Sequence, residues 1–224
     1  LFRSYSINMK NFKSPNVLNM KYMFYNCSNL TKIDLSQLST SSVKFTYYMF
    51  YNCLKLVNIY IPNIQVNNVR NMEYMFYGCS NLKSLELYKN FDITYVEDMS
   101  YMFYNCKNLT NINTKFQSTY YDRYSDYYYY KNKNMNYMLT NCNSLISLNF
   151  DTSSTFKIYS MEHIFENCKS LVSLDIRSFY NYNVQNMGYI FKSCSSITSI
   201  NIINFDTSYV NNMEYMFYDC IKLN

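Results

Sequence analysis

Eight cysteines stand at near-constant intervals along the 224-residue chain: Cys27, Cys53, Cys79, Cys106, Cys142, Cys168, Cys194 and Cys220. Their spacings are 26, 26, 27, 36, 26, 26 and 26 residues. A fixed interval of this size marks a repeat architecture, in which each unit buries its apolar face only by stacking on its neighbours. The residues around each cysteine recur in phase. Three before it stands Phe24, Phe50, Phe76, Phe103, Leu139, Phe165, Phe191 or Phe217. Four before it is Met, or Ile in Ile164 and Ile190, and seven before it is Met in every unit but that of Thr46. Three after it is Leu, or Ile197. Apolar pairs follow six and eight after it, as in Ile33 and Leu35 or Leu174 and Ile176. Another hydrophobe comes near eleven (Leu38, Ile64, Phe179, Phe205), then Val or Ile at sixteen (Val43, Val69, Ile158, Val184, Val210).

The segment after each cysteine alternates apolar with polar residues, so it reads as a short strand. The spacing predicts parallel strands containing Ile33–Leu35, Ile59–Ile61, Leu85–Leu87, Leu148–Phe150, Leu174–Ile176 and Ile200–Ile202, about 4.8 Å from coil to coil. The segment before each cysteine reads as a helix of about six residues, too short to stand without packing. Asn19, Asn71, Asp98, Asn134, Ser160, Asn186 and Asn212, eight before the cysteine, suit its N-cap, and only Phe45 breaks that column. Glu73, Glu162 and Glu214 suit its first turn. Asn26, Asn52, Gly78, Asn105, Asn141 and Asn167, one before the cysteine, suit the left-handed residue that ends a helix. With two Gly and two Pro in the chain, Asn must carry most of the turns. The expected fold is an α/β repeat solenoid, with strands on one face and short helices on the other.

Tyr is the most conspicuous excess, at 28 residues. On a helical wheel the two Met and the Phe share one core-facing arc, and the tyrosines five and two before the cysteine fall opposite. Stacking turns them into two ridges. One runs through Tyr22, Tyr48, Tyr74, Tyr101, Tyr137, His163, Tyr189 and Tyr215. The other runs through Tyr25, Tyr51, Tyr77 and Tyr104, then Thr140, Glu166 and Lys192, and returns at Tyr218. Helices pack about 8–10 Å apart. The stack is therefore expected to curve with its strands on the concave side. Neighbouring cysteines should then be too far apart for a disulfide, which needs Cα atoms within about 4.4–6.8 Å. The cysteines are expected to be reduced and buried as small hydrophobes.

The unit M-x-Y-M-F-Y-N-C-x-x-L-x-x-I-x-L-x-x-F-D-T-S-x-V-x-N resembles the repeat of BspA-like leucine-rich-repeat surface proteins. Its fullest copies are Met72 to Leu87 and Phe205 to Cys220, and the match in register spans essentially the whole chain. Two features depart from the family pattern. Asn replaces the usual Gly before the cysteine, and the F-D-T-S stretch is eroded at Leu38–Ser41 and Ile64–Asn67. The resemblance implies a solenoid with a parallel sheet on one face, surface exposure, and a role in adhesion or protein binding.

One unit is ten residues longer than the rest. Its extra segment, residues 120–132, reads YYDRYSDYYYYKN and is expected to form a loop between strand and helix. Such insertions reach the surface and often carry function, although a low-complexity slip that does nothing explains it equally well. The candidate binding residues are thus the first four pairs of the two ridges, with Tyr121, Tyr124, Tyr127 and Tyr128 of the loop.

No catalytic constellation stands out. There is no C-x-x-C and a single histidine, His163, which reads as an exposed substitute for a ridge Tyr. The methionines fall on the core arc, so packing explains them better than a copper site. No cofactor, metal or enzymatic activity is expected. The net charge of +5 is scattered, without a basic run for nucleic acid, and no apolar stretch approaches the roughly 18 residues of a membrane span. Sequons at Asn26, Asn29 and Asn108 are possible glycosylation sites at about their chance frequency. Counting 26 back from Cys27 puts Leu1 at a cysteine position, so one solenoid of about eight repeats, cut mid-repeat at both ends, is expected. The expected function is extracellular or cell-surface adhesion through a protein or glycan partner. The alternative is self-association into a filament or surface layer.

Overall fold

The computed structural model describes residues 5–7, 9, 16–38, 40–61, 65–86, 90–112, 115–117, 133–151, 153 and 156–224. The Tyr-rich segment 120–132 lies outside them. In chain order the strands are β1 (Ser6–Ile7), β2 (Lys32–Asp34), β3 (Asn58–Tyr60), β4 (Ser84–Glu86), β5 (Asn90–Asp92), β6 (Asn111–Ile112), β7 (Lys115–Gln117), β8 (Lys133–Asn134), β9 (Phe156–Ser160), β10 (Ser173–Asp175), β11 (Phe179–Tyr180) and β12 (Ser199–Asn201). Strands β1, β2, β3, β4 and β6 form one parallel sheet, in which Ile7, Ile33, Ile59, Leu85 and Ile112 stand in register. The parallel pair β10–β12 follows with Leu174 opposite Ile200. A second line of parallel pairing joins β5 to β7 and β8 to β9 to β11. The strands start one residue before the apolar pairs that predicted them. Where Leu148–Phe150 was expected as a strand only bridges form, from Ser147 to Asn111 and from Phe150 to Phe116. Leu87 is not among the described residues.

No helix forms among the described residues, which corrects the expectation for the face before each cysteine. The reason lies in the backbone hydrogen bonds. The N–H groups of Met20, Tyr22, Phe24 and Asn26 donate sideways to the carbonyls of Phe45, Tyr47, Met49 and Tyr51 on the next coil, at 2.9, 3.4, 2.8 and 2.8 Å. Those of Met23, Tyr25 and Cys27 donate three residues back, to Met20, Tyr22 and Phe24, at 3.3, 3.1 and 3.1 Å. Past its first turn a helix would spend each N–H along its own axis, so the regular lateral ladder could not form. Six isolated residues cannot recover the cost of helix nucleation, so linked turns with a lateral ladder prevail. Two left-handed residues per coil close these turns. Tyr or His163 has φ of 52–63° five before the cysteine, and Asn, Gly78, Ser193 or Asp219 has φ of 54–70° one before it.

The expected N-caps do cap, but they cap turns. The side-chain oxygens of Asn71, Asp98, Asn134, Asn186 and Asn212 accept the N–H two residues on, at 2.8–3.1 Å. In the unit of Ser160, Asn136 from the preceding coil accepts the Glu162 N–H instead, at 2.8 Å.

Both faces of the solenoid are therefore held at hydrogen-bond spacing. The difference in spacing from which a curve was expected does not exist. The cysteine argument changes for the same reason. All eight are free thiols, and all but Cys220 are buried. In-register parallel stacking keeps neighbouring Cβ atoms about 4.8 Å apart, beyond the roughly 3.5–4.5 Å that a disulfide spans. The thiols also do more than fill space. The S–H groups of Cys53, Cys79, Cys106 and Cys142 donate to the carbonyls of Phe24, Phe50, Phe76 and Phe103 on the coil before, at 3.1–3.2 Å. Each of these carbonyls already accepts a turn N–H, so the thiol takes its second lone pair.

The core is a set of columns. Leu30, Leu56, Leu82, Leu109, Leu145, Leu171 and Ile197 are all fully buried. Phe24, Phe50, Phe76 and Phe103 stack at 5.1–5.4 Å. Lys133 is the one charged side chain buried among the described residues. It takes the place opposite Ile158 where the register slips beside the long coil. Its ammonium is buried and donates to the carbonyls of Ile93, Val96 and Thr94 at 2.7, 2.9 and 3.2 Å.

An asparagine ladder runs across the left-handed residues before the cysteines. The amide of Asn141 donates to Asn105, and that of Asn167 to Asn141, each at 2.9 Å. Gly78 interrupts the column between Asn52 and Asn105. Its φ of +70° suits Asn, and only the movable Asn52 amide occupies the space a Cβ would enter. Gly78→Asn is expected to leave stability within about 1 kcal/mol of wild type, because reduced unfolded-state freedom and one added bond are set against the strain of a left-handed non-Gly residue and the shift forced on the Asn52 amide. A urea midpoint lowered beyond that would show that the Asn52 amide cannot move aside.

Candidate binding face

The left-handed turn at each −5 position throws the tyrosine ring outward, and in-register stacking lays it on the ring below. From Tyr22 to Tyr48, Tyr74, Tyr101 and Tyr137 the centroids are 5.2, 4.7, 4.7 and 4.7 Å apart. The second column stacks likewise, Tyr25 on Tyr51, Tyr77 and Tyr104, at 4.9, 4.8 and 5.0 Å. Edge and tilted contacts such as Tyr74–Tyr77 at 5.5 Å tie the columns together. The eight tyrosines expected on the outer face are all there. Tyr22 is 48% exposed and the other seven are half-buried, so the rings lie over the core arc without entering it. Each stacked pair adds about 0.5–1.5 kcal/mol beyond area burial, which offsets a left-handed non-Gly residue at about 1–2 kcal/mol.

Burial raises the phenols of Tyr48, Tyr51, Tyr77 and Tyr101 above their ordinary value. Burial, then neighbouring phenols, push Tyr74 up to about 12. Tyr137 also rises to about 12, through burial and then Glu162. None of the eight hydroxyls has a hydrogen-bond partner among the described residues. Because the ring faces cover one another, the columns present ring edges and hydroxyls outward.

His163 is not the exposed residue expected. Its side chain is 14% exposed and lies 2.6 Å from Glu166 through Nδ1 and 3.4 Å from Glu162 through Nε2. It continues the first column between Tyr137 and Tyr189, at 4.5 and 4.4 Å. Lys192 completes the cluster, 3.1 Å from Glu166. The second column ends at Thr140, which is buried with its hydroxyl on the His163 carbonyl at 2.6 Å. The continuous two-column platform therefore spans the coils of Cys27, Cys53, Cys79 and Cys106, and the Tyr215–Tyr218 pair of the last coil, at 5.3 Å, stands apart from it. Sequence reasoning missed this ion-paired cluster and the buried Lys133. A signal existed in both cases, since each breaks its repeat column.

Of the sequons, Asn26 and Asn108 are exposed, while Asn29 is half-buried and accepts Lys55 at 2.9 Å. Tyr121, Tyr124, Tyr127 and Tyr128 lie outside the described residues. The void between Met20, Leu38, Val43, Met49 and Val69 is about 10 Å³, room for one water at most. Among the described residues no three His, Cys, Asp or Glu side chains group to hold a metal, and no helix is long and apolar enough to cross a membrane.

The profile of the DUF285 family, described as a Mycoplasma protein of unknown function, matches residues 2–86, 57–133 and 133–224. The chain belongs to this family. Its 26-residue repeat resembles that of BspA-like leucine-rich-repeat proteins, and the solved structures similar to it include bacterial leucine-rich-repeat proteins. The leucine-rich-repeat protein of T. pallidum is 17% identical, with 98% of this chain and 77% of that one covered and a TM-score of 0.44. One from Bacteroides ovatus is 19% identical, with 95% and 70% covered and a TM-score of 0.35. A leucine-rich cell surface protein of Faecalibacterium prausnitzii is 16% identical, with 81% and 75% covered and a TM-score of 0.26. No curated protein matches this DUF285 chain.

Proposed function

We propose that the chain is a non-catalytic surface solenoid that binds a protein partner through its tyrosine platform, as in adhesion. The observation that carries this reading is the double column of eight stacked rings, Tyr22 to Tyr104, with free hydroxyls at about the coil repeat. Tyr pairs a large apolar body with a polar tip and dominates contact energies at low entropic cost. The stack also holds each ring before a partner arrives, which lowers the ordering cost of association. Glycans are less well served, because the ring faces on which sugars stack are already covered.

Tyr51→Ser with Tyr77→Ser is expected to weaken binding about 30-fold or more and to cost about 1–3 kcal/mol of stability through lost stacking. Partners recovered on the immobilised chain and identified provide the ligand for that titration. Equal affinity of wild type and double variant would end the reading.

A second reading, lateral self-association into a filament or layer, is favoured by one observation. A second copy's ladder has the same repeat, so contacts would stay in register along its length. Sedimentation velocity distinguishes the two. Species that grow with concentration and vanish in the double variant support assembly, and a monomer at all concentrations rejects it.

A further inference from the structure

A different arc of the solenoid carries a second surface. The five residues after each cysteine contain Lys32, Lys55, Lys83, Lys107, Lys169 and Lys222, and no Asp or Glu in any coil. All six lysines are exposed, and none forms an ion pair among the described residues. The arc before the cysteine, from −8 to −1, has the opposite balance, with six carboxylates and two lysines. Charge is thus segregated around the coil, although the chain as a whole is only modestly basic.

The lysine arc is continuous. From Thr31 through Val57, Lys83, Thr110, Ile146 and Val172 to Thr198, each backbone N–H donates to the residue of the same phase on the coil before, at 2.8–3.3 Å. From Lys32 to Lys169 the row runs about 24 Å at strand spacing. Aliphatic side chains share it: Leu54 is 45% exposed, Ile146 54% and Val172 46%. Ile146 and Val172 are successive rungs of that ladder, and Lys169 is on the same coil as Val172.

The composition of the arc selects the ligand. Among the described residues it has no Arg, so it lacks there the planar fork that grips phosphate or sulfate in pairs. Its one aromatic ring among the described residues is Tyr5 at the first rung, too little to stack a row of bases or sugars. Point charges on flexible stems, interleaved with bare aliphatics and free of carboxylates, match a layer of anionic headgroups over hydrocarbon. Peripheral membrane binding scales with apolar area plus attraction to anionic lipid. We propose that this arc docks the solenoid on an anionic lipid bilayer surface.

The test is flotation of the purified protein with phosphatidylcholine vesicles with and without about 30% phosphatidylserine. Binding is expected only with the anionic lipid and is expected to fall steeply in about 0.5 M salt. Each lysine near the surface contributes about fivefold, so the triple variant Lys55→Gln, Lys83→Gln, Lys107→Gln is expected to lose about 100-fold in partition. Its circular dichroism should match wild type, because all three side chains are exposed. Ile146→Asn with Val172→Asn is expected to lose about tenfold. Equal binding to neutral vesicles, an unaffected lysine variant, or capture by heparin or duplex DNA without vesicle binding overturns the proposal. The Tyr51→Ser, Tyr77→Ser protein should still bind vesicles. If it fails while the lysine variant binds, the membrane contact belongs to the tyrosine platform and this inference falls alone.

Discussion

Between pH 8.5 and 10 the solenoid is expected to lose most or all of its stability, because five of its buried thiols titrate only in the unfolded chain. Cys79, Cys106, Cys142, Cys168 and Cys194 are fully buried, and burial pushes each thiol up, Cys168 to about 12. An unfolded thiol ionises near about 8.5. Above that value the unfolded chain has released protons that the folded chain retains, so unfolding becomes easier as pH rises. Each such thiol contributes about 1.4 kcal/mol per pH unit. Five together remove about 7 kcal/mol per unit, comparable with the whole stability of an ordinary domain. Urea midpoints by circular dichroism at pH 7.5 and 9.5, under reductant, measure the effect. Cys106→Ala with Cys168→Ala should flatten the slope by about two-fifths. A midpoint unchanged across that range would mean that the thiols are not held protonated in the core.

Lys133→Met is expected to cost about 2–4 kcal/mol at neutral pH, since it leaves the Thr94 and Val96 carbonyls buried without this donor. The lysine also has a pH signature of the opposite sign. Burial lowers it to about 8, against Asp92 and Glu97, which favour its charge. Between that value and about 10.4 the unfolded chain binds a proton that the folded chain has lost. Stability from this group therefore rises with pH across the window, by up to about 3 kcal/mol. It runs against the five thiols and cannot outweigh them, so removing it should steepen the alkaline loss. A Lys133→Met protein at least as stable as wild type at pH 7 would show that burying the charge costs more than its three bonds return.

The repeat, its phase, the parallel strands and the core-facing set were legible in the residues alone. Repetition makes columns, and columns make burial the same decision in every coil. The capping role of Asn71 or Asp98 was legible too, because a short polar side chain accepts a nearby N–H in a turn as in a helix. What the residues did not settle was the backbone before the cysteine. Inward side chains at Met72, Met75, Phe76 and Cys79 follow a helical interval, and a chain of tight turns returns them at the same interval. Local pattern cannot separate the two. The choice is made by the neighbouring coil, whose carbonyls accept the N–H groups a helix would have kept for itself. That lateral ladder sets the spacing of every column. It makes tyrosine tolerable in a left-handed conformation by stacking it, and it brings each thiol within reach of a carbonyl 29 or 30 residues earlier on regular coils. It also leaves the carbonyls beside the long coil to a buried lysine. These contacts exist only between coils, so only the tertiary structure decides them.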